Sequence, residues 1–487
     1  MVYHIADFRK PDYNGITDLH EGGVSVKEYK METFYPGQYT RRDKETLIPY
    51  WESLEALNRD PVTLEELEKG TTEERRGRFV PLPVEGKVMD YYAYKYDPEN
   101  PLYTDDDYAR KMGYREKIAY PTFAACDDCF GRMGPMESRD SLLVCGVNTS
   151  MHFYEPVYAG DTLYPVTNSE YVEDITPEEG SEYRSLAITI NGSVYNQNHK
   201  KVLDVQYRCR ENNQCYAGEK PDKPLRMGIG PDWTKRPAHK YTDADWETIM
   251  NLWKGEKRQG AEPLYWEDVN VGDHPTPTCD GPFLETTMPT VPYGMGMGGS
   301  RTLKKEILDE ETRKNMVRYP EDGIYRMPNY KDSVPEPPVK VRRMGPPAPG
   351  SEAKETPKAG APIGENRMIL INFFMREFAV RHIYNWMGDK GWISRLEWGI
   401  MPFLDKYGYH MPAHPQDPDF LSVVPELEGR RPMDHGMIGD VAIIKSYVYN
   451  KHVKNGKHYV DLAFWMETID GVIIEEGQAT VCLPSKG

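Results

Sequence analysis

Residues 97–123, DPENPLYTDDDYARKMGYREKIAYPTF, place two carboxylates, an amide and a phenol directly before a well-capped helix. The pattern predicts Thr104 as the N-cap, the three following aspartates in the first turn, and Gly113 just past the last turn. Capping therefore explains the aspartate run without any chemical role. The polar side chains that capping does not need are candidate catalytic residues: Asp97, Glu99, Asn100 and Tyr103.

A second helix start is predicted at Pro121, because proline is favoured at the first position of a helix. The backbone N–H groups of Thr122 and Phe123 would then be free to hold an anion or a polarised carbonyl oxygen. Together with Tyr120, they are candidate substrate-binding residues. Carboxylates just upstream of such a helix start suit proton transfer next to a carbonyl group.

The same residues resemble the overhang segment and following helix of MaoC-like acyl-CoA dehydratases, relatives of the (R)-specific enoyl-CoA hydratases. The motif of that family is Gly-Asp-x-Asn-Pro-(Leu/Ile)-His, in which Asp and His form the catalytic pair. Here Pro98 stands at the aspartate position, between Asp97 and Glu99, and Tyr103 stands at the histidine position. The first half therefore holds either a variant site or a degenerate one.

The resemblance implies an α+β double hot-dog fold, in which two curled antiparallel sheets each wrap a central helix. It also implies addition or removal of water across the 2,3 bond of an acyl-CoA thioester, with no cofactor and no metal. Glu99 is our first choice for the carboxylate that activates water and Asp97 the second. Asn100 and Tyr103 would orient the water or the protonated acid, and the N–H groups at the second helix start would stabilise an enolate oxygen.

Two other functions remain open. The same fold supports thioester hydrolysis, which needs the activated water aimed at the carbonyl carbon. The changed Asp and His positions favour a third possibility, a non-catalytic subunit that binds an acyl thioester or helps an assembly form.

The composition and net charge of the chain limit the classes of partner that it is expected to bind. The chain has 487 residues, 39% of them hydrophobic and 28% charged, as in globular proteins. Its formal net charge of −17 argues against nucleic acid and anionic membranes as partners. CoA is itself anionic, so its binding would need a local basic patch. Edges of hot-dog sheets commonly pair, which favours a homo-oligomer.

The cysteine pattern and the N-terminal segment favour a cytoplasmic location. Seven scattered cysteines do not form a disulfide framework, which indicates a reducing compartment. The first ten residues lack a signal-peptide core, and no apolar run approaches the length of a membrane span.

The domain pattern is a loose internal repeat. Gly160-Asp161 and Gly439-Asp440 each precede a β-rich run, and Asn455-Gly456 and Asp470-Gly471 are typical of hairpin turns. Strands are predicted at 163–172, 183–195, 202–209, 441–450, 458–468 and 472–483. We expect an N-terminal extension (1–64), a first hot-dog domain (65–213), a helical linker (214–262) and a second hot-dog domain (263–487) with a Pro-rich insertion at about 334–362.

Other motifs favour structural roles. Cys126 and Cys129 have the spacing of a zinc or redox pair but lie in a predicted helix without a second pair, which favours packing. Pro412 argues against a helical metal site formed by His410 and His414, although a loop could still present both rings.

The second half offers weaker candidates. His382 lies in the predicted central helix of that half, where a lone histidine is more often a hydrogen-bonded structural group than a base. Tyr325, Asn329 and Tyr330 lie where the overhang of the second half is expected, and we rank them below the first-half group.

Overall fold

The computed structural model describes residues 33–41, 43–55, 82–125, 141–181, 183–214, 236–284, 287, 303–327, 370, 372–399 and 434–487. Several of the sequence features lie outside these residues: the Cys126 and Cys129 pair, Asn329 and Tyr330, the Pro-rich insertion, and the His410 and His414 pair.

In the first half, short helices are followed by four long antiparallel strands. A short strand β1 (Leu82–Pro83) leads into helix α2 (Gly86–Tyr96) and, after a turn of 3-10 helix at Pro101–Tyr103, into helix α3 (Asp106–Met112). A second 3-10 turn covers Pro121–Ala124 and is capped at Ala125, so Pro121 opens a short 3-10 turn there and the predicted longer helix is not seen among the described residues. The sheet strands of this half are β2 (Ser141–Phe153), β3 (Thr162–Asp174), β4 (Tyr183–Asn196) and β5 (Lys201–Gln214).

The second half repeats this plan with a longer helical part. Its elements are β6 (Thr278–Asp280), helices α5 (Lys304–Leu308) and α6 (Glu310–Lys314), a small hairpin β7 (Val317–Arg318) and β8 (Tyr325–Arg326), helix α7 (Asn372–Met387), and strands β9 (Trp392–Gly399), β10 (Ala442–Lys454), β11 (Lys457–Glu467) and β12 (Ile473–Leu483). The six predicted strands are confirmed within a few residues. Strands β2 and β9 were not predicted.

One antiparallel sheet joins the two halves. Its order is β1-β3-β4-β5-β2-β9-β12-β11-β10-β6, so each half shows the same order when followed from its outer edge to the middle. The halves meet where β2 pairs with β9, with Met151 opposite Leu396 and Thr149 opposite Trp398. The internal repeat seen in the sequence is therefore a repeat of strand order about this junction.

Helix α7 lies on one face of the sheet, against β9, β12 and β10. Its side chains from Phe374 onward are largely buried, as expected for a central helix that is apolar around most of its circumference. Phe374 and Phe378 pack with Phe283 at centroid distances of 5.0 to 5.4 Å. Burial of each such ring stabilises the fold by roughly 1.5–3 kcal/mol. The α+β class, with a large antiparallel sheet and helices, agrees with the expectation.

The connector between the halves contains helix α4 (Asp243–Gly255). Thr242 caps it and Asp245 completes a capping box, as the sequence predicts. Trp246 and Trp253 bury its inner face in a second hydrophobic cluster with Tyr241.

Part of the N-terminal extension packs on the first half, where helix α1 (Ile48–Glu55) lies against β3. Arg184 anchors this contact by donating to the carbonyl oxygen of Tyr35 and pairing with Asp43 at 3.2 Å.

Candidate active site

The loop after α2 brings the first-half candidates into one short segment. Asp97 ends α2, and its N–H donates to the carbonyl oxygen of Ala93 at 2.8 Å. Asn100 caps the following 3-10 turn, since its side-chain oxygen accepts from the N–H of Leu102 at 2.9 Å. The predicted cap of α3 is off by one residue. Asp105 caps it, because Thr104 is already used to close the preceding turn.

The two candidate carboxylates lie in opposite environments. Asp97 is only 4% exposed, and burial raises its pKa to about 6 despite the opposing charges of Arg381 and Arg258. The Glu99 side chain is 66% exposed and pairs with Lys305 at 3.0 Å. The hydrogen bond from Lys305 lowers the pKa of Glu99 below its usual value. A buried carboxylate with a raised pKa is the better proton-transfer group near neutral pH.

Four buried polar atoms around this loop have no hydrogen-bond partner within the described part of the chain. They are Asp97 Oδ2, Asn100 Nδ2, Tyr103 Oη and Tyr384 Oη. Leaving such a group unpaired costs about 1–3 kcal/mol, so several together indicate a place where a ligand completes the hydrogen bonds. Tyr384 belongs to α7, and the site therefore draws on both halves.

The two site tyrosines carry neutral hydroxyls. The rings of Tyr103 and Tyr384 meet edge to face with centroids 6.2 Å apart, and Tyr120 packs on Tyr103 at 5.2 Å. Burial raises the pKa of Tyr103 well above its usual value, and the neighbouring Tyr384 and Asp97 raise it further. A phenol in this environment donates a hydrogen bond and does not act as a base.

Arg381 and Asp280 form a buried ion pair beside the site. The guanidinium is bidentate on Asp280, at 3.0 Å for one of the two contacts, and also lies 3.5 Å from the carbonyl oxygen of Tyr96. Because Arg381 is on α7 and Asp280 on β6, the second half holds a positive charge next to the residue that precedes Asp97. This charge favours the ionised form of Asp97.

A second arginine fixes the loop from the connector. Arg258 binds both oxygens of Asp389, at 2.7 and 2.8 Å, and donates to the carbonyl oxygen of Glu99 at 3.1 Å. Tyr108 of α3 also donates to Asp389. These contacts hold the 97–103 loop against the end of α7 and thereby fix the position of Asp97.

The candidate substrate-binding residues are tied to α7 by Glu377. The hydroxyls of Thr122 and Tyr92 donate to its carboxylate, and Tyr120 donates to its backbone carbonyl oxygen at 2.6 Å. The N–H of Phe123 donates to the carbonyl oxygen of Tyr120 at 2.8 Å. The prediction that this N–H is free was therefore wrong, because the chain closes a tight 3-10 turn at that point.

The two second-half candidates that the structure describes, His382 and Tyr325, do not join the site. His382 is buried between Thr278 Oγ1 at 3.1 Å and Ser446 Oγ at 2.7 Å, and burial lowers its pKa to about 3. It is thus a neutral, hydrogen-bonded structural group. Tyr325 packs against Trp246 with ring centroids 4.9 Å apart.

Three site residues escaped prediction: Tyr384, Arg381 and Asp280. They lie far along the chain from the 97–103 loop, and no short motif connects them to it. A detectable signal was the set of polar residues within the apolar stretch of α7, which a purely structural helix has little reason to contain.

The described residues lack two other kinds of feature. Among them, no group of three or more His, Cys, Asp or Glu side chains is arranged to hold a metal ion. None of their helices combines the length and the apolar character that crossing a membrane requires.

The loop with Asp97, Asn100 and Tyr103 falls within a recognised family region. Residues 78–205 match the family model described as FAS1-like, dehydratase domain region. The first half is similar to a dehydratase domain. The resemblance to a dehydratase drawn from residues 97–123 is thereby confirmed for the segment that carries the candidate catalytic residues.

Solved structures similar to this chain bear related names. A MaoC-like dehydratase is 14% identical, covering 83% of this chain and 96% of its own, with a TM-score of 0.42. A putative MaoC domain protein dehydratase from Chloroflexus aurantiacus is 11% identical, with coverages of 86% and 100% and a TM-score of 0.40.

A third solved structure, from Mycobacterium tuberculosis and described as having a double hotdog fold, is also 11% identical. It covers 84% of this chain and 94% of its own, with a TM-score of 0.40. Among curated protein sequences, none matches the chain.

Proposed function

We propose that this protein is a hydro-lyase that adds water to, or removes it from, the 2,3 bond of an acyl-CoA thioester. The observation that carries the proposal is the buried carboxylate of Asp97, which has an unpartnered oxygen beside three other unpartnered polar groups. The dehydratase match, which spans 78–205, supports the reaction class. The acyl-CoA substrate rests on the sequence resemblance.

In this proposal Asp97 is the general base and Glu99 is not. In the hydration direction, the ionised carboxylate takes a proton from water as the water oxygen bonds to C3 of a 2-enoyl thioester. Electrons of the double bond move onto the thioester carbonyl oxygen as an enolate. The carboxylic acid formed on Asp97 then returns the proton to C2, and the carboxylate is restored. Asn100 Nδ2 orients the water.

The hydroxyls of Tyr103 and Tyr384 are proposed to donate to the thioester oxygen. Both are neutral and unpartnered, so they are available where negative charge develops. They take the place of the Phe123 N–H, which is already used. The backbone N–H of Thr122 remains a candidate third donor.

The proposed setting is a double hot dog. Each half-sheet has the same strand order, and α7 lies across the second half-sheet as a central helix would. At the corresponding place in the first half, the described chain forms the 3-10 turn Pro121–Ala124. The catalytic loop of one half then faces the central helix of the other.

The rival function is a non-catalytic thioester-binding subunit. Its support is that Tyr103, at the histidine position of the family motif, is a neutral phenol that cannot act as a base. Thioester hydrolysis would need the activated water to reach the carbonyl carbon instead of C3.

Mass spectrometry of a mixed panel of 2-enoyl-CoA and 3-hydroxyacyl-CoA esters incubated with the protein tests the proposal. We expect gain or loss of one water on at least one ester. Release of free CoA would overturn the proposal in favour of a thioesterase, and binding without any conversion would overturn it in favour of the binding subunit.

A further inference from the structure

A cleft of about 790 Å³ lies at the junction of the two half-sheets, outside the site described above. Its volume is in the range of small-molecule sites. Its floor consists of residues that lie on one face of four neighbouring strands, near one end of each strand. These residues form a row across the sheet, in which His152 pairs with Arg395, Arg395 with Thr480, and Thr480 with Asp461. This is the face of the sheet opposite α7.

The cleft carries positive charge that the protein does not neutralise. Lys454 and Lys457 line it, and neither ammonium group has a hydrogen-bond or ion-pair partner within the described residues. Arg395 is already bound to Glu397 at 3.0 Å. The carboxylate of Asp461 is occupied by Asn450 at 2.9 Å and Thr480 at 2.7 Å.

The two lysines also oppose each other directly. They flank the Asn455-Gly456 turn of the β10–β11 hairpin as a cross-strand pair, so their side chains lie on the same face. Like charges placed directly opposite each other destabilise a hairpin. An anion bound between them would offset that repulsion.

Aromatic rings stand next to these charges. His452 and Tyr459 are stacked with ring centroids 5.3 Å apart, and both line the cleft. Flat ring faces beside cationic side chains suit a ligand that combines a heteroaromatic ring with phosphate groups.

The cleft adjoins the candidate active site. A narrow crevice that includes Tyr120 and Pro121 shares Phe153, Pro156 and Trp392 with it. Tyr114 lies on the rim of the cleft, close to Tyr384. Burial raises the pKa of Tyr384, and the nearby Tyr114 raises it further. The crevice and Tyr114 therefore lie between the cleft, on the outer face of the sheet, and the tyrosines of the active site.

We propose that this cleft binds the phosphorylated adenosine end of CoA, with Lys454 and Lys457 on its phosphates. The inference rests on the proposed function for its choice of CoA, and it assigns the local basic patch that an acidic chain needs for such a ligand. The acyl end would point toward the crevice and the Tyr103–Tyr384 pair.

Isothermal titration with CoA and with adenosine 3′,5′-bisphosphate tests the cleft separately from catalysis. We expect both to bind the wild-type protein, and the bisphosphate to compete with CoA. The K454E/K457E variant should bind each ligand at least about tenfold more weakly, because two attractive charges become repulsive. Both positions are exposed, so the variant is expected to fold.

The control variant K240E/K254E changes the net charge equally at exposed positions outside the cleft. It should bind both ligands as the wild type does. Equal weakening in the two variants, or an unchanged Kd in K454E/K457E, would overturn the cleft proposal.

The two proposals fail in different ways. If CoA binding depends on Lys454 and Lys457 but no thioester is converted, the cleft proposal stands and the hydro-lyase proposal fails. If the protein converts CoA esters and K454E/K457E leaves the KM for them unchanged, the hydro-lyase proposal stands and the cleft proposal fails.

Discussion

Tyr103 of the first half and Tyr384 of the second half meet edge to face, 6.2 Å between centroids, and neither hydroxyl has a hydrogen-bond partner within the described chain. Two buried hydroxyls without partners are costly unless a ligand uses them. The pair therefore marks the point where both halves contribute to one site.

Replacing Tyr384 by Phe should reduce kcat by about 10²-fold, as expected when one donor to a developing oxyanion is lost. The free energy of unfolding should stay the same or rise, because no existing hydrogen bond is broken. Turnover of a 2-enoyl-CoA ester and urea unfolding measure the two effects.

Tyr120→Phe is the matched control, since the Tyr120 ring packs on Tyr103 but its hydroxyl donates to the Glu377 carbonyl oxygen at 2.6 Å. That variant should lose about 1–3 kcal/mol of stability. Equal stability losses in Y384F and Y120F would contradict the assignment of Tyr384 to a ligand site.

The pH dependence of kcat/KM for hydration should show an acid limb near pH 6. Burial raises the pKa of Asp97 to about 6, and only its ionised form can accept a proton from water. The rate should therefore fall about tenfold per pH unit below that value and level off above it. A limb close to the ordinary aspartate pKa would point to an exposed carboxylate such as Glu99.

Asp97→Asn should stabilise the folded protein at neutral pH. A raised pKa means that the folded state prefers neutral Asp97, so stability is lost as pH rises from the ordinary value of 3.8 to about 6. The uncharged amide removes this loss, which is on the order of 1–3 kcal/mol at pH 7.5. Urea unfolding at about pH 4 and at neutral pH measures the difference, which should vanish in acid. A variant less stable than wild type at neutral pH would show that ionised Asp97 stabilises the fold.

Arg381→Met should destabilise the protein by about 3–5 kcal/mol, because Asp280 is left as a buried unpaired charge. D280N/R381M should recover much of this loss. In that double variant the acid limb of the pH profile should move to higher pH, because a positive charge that favours ionised Asp97 is gone. An unchanged limb would assign Arg381 a purely structural role.

The fold was predictable where the pattern is local. Strands β10 to β12 follow from β-rich runs separated by Asn455-Gly456 and Asp470-Gly471, and α7 from an apolar stretch that ends before Gly388. Strand β9 was not predicted, although Leu396 and Trp398 alternate with Arg395 and Glu397 as in a strand with one buried face.

The site was predictable only in part. Residues 97–103 could be singled out from spacing, but the sequence ranked Glu99 above Asp97 for the base, and the geometry favours the reverse order. Solvent exposure decides which of the two neighbouring carboxylates is suited to act as the base. The exposure of Asp97 and Glu99 depends on how the loop packs against α7 and the connector. Contacts from Arg381 and Arg258, more than 150 residues away in sequence, leave no local signature.

The most direct test of the account compares Asp97→Asn with Glu99→Gln in turnover of a 2-enoyl-CoA ester. Both variants should fold and bind CoA as the wild type does. Asp97→Asn should lose at least about 10³-fold in kcat, because its amide cannot accept the proton of water, while Glu99→Gln should stay within a few-fold of wild type. The reverse result, or full activity in Asp97→Asn, would contradict the assignment of Asp97 as the base.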